Sequence, residues 1–400
     1  MVRIVATAAG VVSPIGIGLA EFASALYGGK SGAAASARFP GLVTAEVNDF
    51  TPQTWLGNKG IRVLDRTARL LAVAAHLALT EGGLLEGGAE KGGDELGLVC
   101  GTMFGSIHSI TSFDWSGITE GTNYVNPGEF PNTVINSAAG QAAIKHGLRG
   151  INSTISAGLA SGLHAMQYGA DCLRFGRARV VLAGGAEELC EESVLGFRKN
   201  GLVSCSGSAR PFAQGRDGIV LGEGAALCVL ETEESAIARG RTPWFEIRGF
   251  GCTQDAQSIR SFNMRGDGAA EAIWLALHDA SIEPAQVNGV IASANGSRAG
   301  DGMEARALEK VFGARAGGLA ICAPKGALGE WMGATGAAST ITAGLAMRAH
   351  KMPPTAGFEA GGHGLHMSSN ATPISGEYAL INAFGCDGNN ASMVIRQWNN

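Results

Sequence analysis

The sequence predicts a layered α/β fold built from two related halves. Three observations predict it. Strand-like apolar runs alternate with helix-like segments along the whole chain, the alternation starts again after residue 242, and small residues abound, with 61 glycines among 400 residues. Alternating β and α segments imply helices packed on central sheets. Cores tend to split beyond roughly 250–300 residues, so a chain of this length fits two fused halves. Apolar residues make up 46% and charged residues 16%, which excludes a disordered chain.

The elements follow in order. Residues 1–8 carry one cation and a short apolar run and predict a first strand, since a secretion signal needs a longer apolar stretch. Residues 97–101 (GLVCG) and 180–185 (VVLAGG) read as buried strands. Between them, apolar residues at 163, 166, 170 and 173 give residues 162–174 a helical period. Residues 225–231 (AALCVLE) form another strand, after which a charged stretch ending at Pro243 marks a boundary between halves 1–242 and 243–400. The second half gives a strand at 244–249, a helix at 268–280, a strand at 289–294, a small-residue helix at 333–349 and strands at 377–383 and 391–396. The Gly-, Ser- and His-rich residues 357–373 read as a surface loop.

Composition narrows the function classes. A net charge of −5 provides no basic field for nucleic acid. No apolar run reaches the 18–20 residues or so of a membrane span. The eight cysteines stand singly, with no C-x-x-C pair, and predict reduced thiols in a cytoplasmic protein, not a disulfide frame or a zinc site. His363 and His366 have a metal-like spacing of three but lack a third ligand, so no metal is expected. No glycine-rich stretch forms a phosphate or dinucleotide fingerprint, and no cofactor is expected.

Several motifs occur together and in order. They are residues 10–16 (GVVSPIG), 140–144 (GQAAI), 147–156 (GLRGINSTIS), 160–164 (ASGLH), 181–187 (VLAGGAE), 209–212 (ARPF) and 215–224 (GRDGIVLGEG). Lys325, Gly329, Gly333 and residues 382–385 (NAFG) with 388–391 (GNNA) complete the set. Over nearly the whole chain this resembles the β-ketoacyl-acyl-carrier-protein synthases of the thiolase superfamily. The resemblance implies a five-layer α-β-α-β-α fold and a dimer in which the strand near residues 152–156 pairs across the two-fold axis. It also implies acyl-carrier protein as a partner.

The family's chemistry needs a cysteine at a helix N-terminus, whose thiolate takes the acyl chain, and two imidazoles that assist decarboxylation and stabilise an oxyanion. The resemblance puts Leu159 at the cysteine position, and leucine has no lone pair to form a thioester. It puts Asn295 at the first imidazole, where an amide donates but does not titrate near neutral pH. Asp301 and Glu304 downstream support that register. It puts Glu330 at the second imidazole, five residues after the retained Lys325. The lysine's usual acidic partner is replaced by Ser339, leaving open a Lys325–Glu330 pair. Cys386 stands where the family has a gating phenylalanine. The segment 103–115 resembles the helix that lines the acyl tunnel, with Phe104, His108, Thr111, Ser112 and Trp115 at helical spacing. Ser156, Ser161 and His164 read as framework residues.

These replacements predict a non-condensing, chain-length-factor-like subunit. Such a subunit would pair with an active β-ketoacyl synthase, or with itself, and shape the tunnel in type II polyketide, aryl-polyene or fatty-acyl biosynthesis. The alternative is a remodelled enzyme, a malonyl-thioester decarboxylase, hydrolase or acyltransferase, using Asn295, Glu330 and Cys386.

Overall fold

The computed structural model describes residues 2–85, 93–257, 261–359 and 363–399. Met1 and residues 360–362 of the expected Gly-rich loop lie outside the described residues. Ten strands carry the sheet: β1 (Ile4–Ser13), β2 (Leu96–Gly101), β3 (Asn152–Ile155), β4 (Val180–Glu187), β5 (Gly224–Thr232), β6 (Phe245–Gln254), β7 (Val287–Ile291), β8 (Ala320–Cys322), β9 (Tyr378–Phe384) and β10 (Asn389–Gln397). Seven helices matter for the site: α1 (Arg66–Glu81), α2 (Ile107–Glu120), α3 (Ser137–His146), α4 (Ser161–Arg174), α5 (Asp267–Ala280), α6 (Arg298–Phe312) and α7 (Thr335–Ala349).

The strand order is β8-β7-β9-β10-β6-β1-β5-β4-β2-β3, with the two-residue strand Gly16–Ile17 paired to β1. Each half repeats one plan. In the first, β3, β2 and β4 run parallel, then β5 and β1 are antiparallel. In the second, β8, β7 and β9 run parallel, then β10 and β6 are antiparallel. The halves meet where Ile4, Val5 and Ala6 of β1 pair with Ile247, Glu246 and Phe245 of β6.

Helices cover both faces and fill the middle. α1 packs on β1, β5 and β4, and α5 packs on β6 and β10. α4 packs on β4, β2 and β5 and reaches β10, while α7 packs on β9 and reaches β5 and β4. α4 and α7 therefore form the layer shared by the two half-sheets, giving the expected thiolase-like order of five layers. Strands covered on both faces read as continuous apolar runs, and all eight residues of β4 are buried. The two central helices cross closely because they meet through glycines. A Cβ on Gly162 would lie 2.9 Å from the Ala337 nitrogen, and one on Gly336 would lie 2.8 Å from the Leu163 nitrogen. Among the described residues no helix is long and apolar enough to cross a membrane.

The expected tunnel helix is displaced from its sequence reading. Gly105 adopts φ 61°, and α2 begins only at Ile107, so Phe104 sits in the preceding turn and not on the helix.

Candidate functional site at the junction of the central helices

The N-termini of α4 and α7 converge, and the turn before α4 carries Leu159. Gly158 takes φ 57°, a left-handed conformation that glycine adopts without a Cβ penalty. A Cβ there would lie 2.0 Å from Oδ2 of Asp387, so the turn at 385–388 presses directly on the Leu159 turn. Ser161 ties the turn together: the Ala157 N–H donates to its Oγ at 2.9 Å, and the Gly158 carbonyl oxygen lies 2.6 Å from that oxygen.

Leu159 is buried against Leu189, Val194, Phe197, Ile219, Leu221 and Met332, with Phe104 alongside. The Phe104 and Phe197 rings meet edge to face at 6.4 Å. An alkyl side chain thus closes the helix mouth with apolar contacts and offers no electron pair.

Met332 and Leu221 lead to Glu330. The Glu330 carboxylate is buried and accepts four hydrogen bonds. Lys325 Nζ and Asn295 Nδ2 each donate to Oε2 at 2.8 Å. The Met332 N–H at 3.0 Å and Thr335 Oγ1 at 2.8 Å donate to Oε1. Both carboxylate oxygens are thus engaged by donors, one of them the Lys325 ammonium, and charge-assisted bonds of this kind fix the side chain in place. The Lys325–Glu330 pair left open by the sequence is formed.

Asn295 lies four residues beyond the end of β7. The Ser297 N–H donates to its Oδ1 at 3.0 Å, which orients the amide so that Nδ2 faces Glu330. Its own N–H donates to Asp301 Oδ1 at 3.0 Å. Asp301 and Glu304, on α6, are fully buried. Burial pushes the Asp301 carboxyl up to about 6, against backbone N–H groups of Phe212 and Asn295 that pull it down. Burial likewise pushes Glu304 up to about 7, opposed by the Ser293 N–H and Asn382. Cys386 is half-buried, and its thiol is raised first by burial, then by Asp387, with a smaller push from Glu330. A thiol so placed is a weak nucleophile.

The structure therefore brings Leu159, Asn295, Lys325, Glu330 and Cys386 into one region. It separates the other expected tunnel residues. His108, Thr111, Ser112 and Trp115 share one face of α2, and in this chain that face is exposed. His108 Nδ1 lies 3.2 Å from Glu192. His363 stacks edge-on with Phe212 at 6.2 Å, and among the described residues no three His, Cys, Asp or Glu groups converge as metal ligands. His164 packs against Phe250 at 5.2 Å as a framework residue would.

Sequence reasoning gave no role to Glu187. Its buried carboxylate takes the N–H groups of Met103, Phe104 and Gly333 and the hydroxyl of Thr102. It staples the turn before α2 to the residues before α7. Its signal was an acid ending an otherwise apolar strand, VLAGGAE. Thr335, the fourth donor to Glu330, was missed too, because a threonine at the start of a helix is ordinarily read as a cap.

Two half-sheets of one plan around a shared layer of two small-residue helices define a thiolase-like α/β fold. The chain matches the β-ketoacyl synthase N-terminal domain over residues 1–236 and the β-ketoacyl synthase C-terminal domain over residues 244–359. It belongs to the β-ketoacyl synthase family. It is 32% identical to 3-oxoacyl-acyl-carrier-protein synthase 2 of Coxiella burnetii, over 98% of both chains. It is 31% identical to the protein of the same name from Vibrio harveyi, over 99% of this chain and 98% of that one. Among solved structures, the ishigamide ketosynthase/chain length factor aligns at TM-score 0.92 and 29% identity, covering all of both chains. A β-ketoacyl synthase from Burkholderia phymatum aligns at TM-score 0.90 and 28% identity, also over both whole chains.

These relatives correct the functional expectation. The full-length curated relatives, at 28–32% identity, carry the name 3-oxoacyl-acyl-carrier-protein synthase 2, and the non-condensing chain-length-factor reading is overturned. The decarboxylase, hydrolase or acyltransferase alternative, stated with it, is set aside by the same names. The physical reason is one of scope. Leu159, Asn295 and Glu330 describe bonds that this pocket does not make, and such losses do not by themselves assign a different task to the whole chain.

Proposed function

We propose that this chain works in the synthesis of 3-oxoacyl groups on acyl-carrier protein, with carrier-borne acyl thioesters as its substrates, as one half of a dimer in the cytoplasm. The observation that carries this reading is the full-length likeness to 3-oxoacyl-acyl-carrier-protein synthases, together with a site framework that keeps the buried Lys325 and the α4 helix mouth. The acyl group is not carried on residue 159, because leucine provides no sulfur. For the dimer partner, the finer reading is a second β-ketoacyl synthase family chain, a copy of this one or a homologue. Two solved relatives support it: the ishigamide ketosynthase/chain length factor, and a type II polyketide synthase acyl-carrier protein in complex with its ketosynthase.

The test uses the assembly purified from its own cells, with whatever chain stays bound. Acyl- and malonyl-carrier protein are added and the carrier is read by mass spectrometry. The expected product is 3-oxoacyl-carrier protein, with no acyl adduct on the peptide containing Leu159. An assembly that neither binds the acyl carrier nor forms the 3-oxoacyl product overturns the reading.

A further inference from the structure

Two buried groups beside the site end one hydrogen bond short, and both face the same small cavity. The cavity lies between the segment after β7 and α6, lined by the polar Ser293, Asn295 and Glu304 and by Phe262 and Phe384. It leaves about 10 Å³ for the centre of a water-sized molecule, close to the lower limit for holding one water.

The first group is Glu304, which is 1% exposed. Its Oε1 accepts from the Ser293 N–H and from Asn382 Nδ2, each at 2.9 Å. Its Oε2 has no hydrogen-bond partner. A buried carboxylate oxygen left without a donor is costly. The second group is Asn295. Its Oδ1 is used by the Ser297 N–H, and one Nδ2–H is used by Glu330. The other Nδ2–H finds no acceptor among the described residues. An acceptor on Glu304 and a donor on Asn295 thus remain, both lining a space sized for a single small molecule.

The neighbours cannot close the gap. Asp301 is already engaged by the N–H groups of Phe212, Asn295 and Gly296. Ser293 Oγ accepts from the Phe384 N–H at 2.9 Å and makes no bond to Glu304 Oε2, so its hydroxyl hydrogen is a further donor open to a molecule in the cavity. The phenyl rings supply neither strong donor nor strong acceptor. A metal cation is a poor occupant, because the Asn295 N–H would point at it. A water satisfies both ends: it accepts from Asn295 and donates to Glu304.

We propose that this cavity is a binding site for one ordered water that bridges Asn295 Nδ2 and Glu304 Oε2. The bridge makes one continuous buried chain, from Lys325 through Glu330 and Asn295 to the water, Glu304, Asn382 and Ser392. It joins the residues before α7 to β9 and β10, and it holds the Asn295 amide in one orientation from both sides. The inference stands on hydrogen-bond geometry and does not depend on which reaction the chain serves.

A crystal structure of the full-length protein, at a resolution that shows waters, tests it. One peak is expected within hydrogen-bond distance of both atoms. The Glu304→Gln variant, which keeps a polar atom at that place, should retain the peak, and Glu304→Leu should lose it. A cavity without density in the wild-type protein overturns the proposal. So does a peak that gains anomalous signal on rubidium soaking, which would mark a monovalent cation, or full occupancy retained in Glu304→Leu. The wild-type structure decides the matter if the leucine variant does not fold.

Discussion

Lys325 Nζ lies 2.8 Å from Glu330 Oε2, with the two side chains 3% and 0% exposed. Removing one partner of a buried pair strands the other charge, and this usually costs about 3–5 kcal/mol. Glu330→Gln is expected to destabilise the protein by that amount in urea unfolding, because Lys325 keeps a polar neighbour and loses its counter-charge. The double variant Lys325→Met/Glu330→Leu is expected to be less destabilised than the sum of the single changes, since both charges leave together. Simple additivity would show that the pair is uncoupled.

Leu159 closes the mouth of α4 with apolar contacts. Leu159→Ala opens a hole there and is expected to cost about 2–4 kcal/mol, within the range for buried leucine truncation. Leu159→Cys sets a thiol at the positive end of a 14-residue helix, where the dipole favours the thiolate. Mass spectrometry after incubation with an acyl-carrier thioester should find an adduct on residue 159 in this variant. An unmodified Leu159→Cys protein would mean that the position is sealed from the substrate.

Four buried acids make stability depend on pH. Burial raises Glu188 to about 8, Glu187 and Glu304 to about 7 and Asp301 to about 6. For Glu188 the nearby Asp65 and Glu223 add to the push, opposed by Arg66. Between the ordinary carboxylate range and these values the folded chain holds more protons than the unfolded chain, so stability falls as pH rises from about 5 to 8. His146 acts on the other side. Burial lowers it to about 4. Between pH 4 and its ordinary value near 6.5 the unfolded chain holds more protons, so stability falls as pH drops through that window. Four acids outweigh one histidine where the two windows overlap, so unfolding midpoints should be higher near pH 5 than near pH 8, and Glu188→Gln should flatten that decline. A wild-type midpoint that rises steadily from pH 6 to 8 would contradict this.

The readable parts of the fold are those with local causes. VVLAGG at 180–185 announces a strand covered on both faces, and β4 is buried along its whole length. The pairing of Ile4–Ala6 with Phe245–Ile247, which joins the two halves, spans some 240 residues and leaves no local trace. The start of α2 was misplaced because Gly105 turns the chain through a left-handed conformation, and apolar spacing does not register such a turn. At the site, motif register singles out Leu159, Asn295 and Glu330, and the fold sets Asn295 against Glu330 and Leu159 against Met332 nearby. The contact between Asn295 and Glu330, 35 residues apart, came only from the fold. The functional reading failed for a related reason: residue identities at three positions speak about individual bonds, and the task of the chain is carried by the whole framework.

The face of α2 gives the last prediction. None of its 14 residues is buried. Trp115 is 64% exposed, Ile118 76%, and Tyr124 and Phe130 beyond the helix are 74% and 62% exposed. Apolar exposure this concentrated marks an interaction surface. β3 lies at the end of the strand order and, among the described residues, is hydrogen-bonded to β2 alone. An edge strand of this kind can pair with the same strand of a second chain. The two features lie within 50 residues of each other in the chain, on either side of α3, and suit one partner. Trp115→Asp and Ile118→Asp, each placing a charge in an apolar contact, are expected to weaken self- or hetero-association about 100-fold, equivalent to about 2.7 kcal/mol. Sedimentation at micromolar concentration should then show the 40.8 kDa monomer where the parent protein sediments as a dimer. A parent protein that is already monomeric, or variants that stay dimeric with unchanged affinity, would remove α2 from the interface.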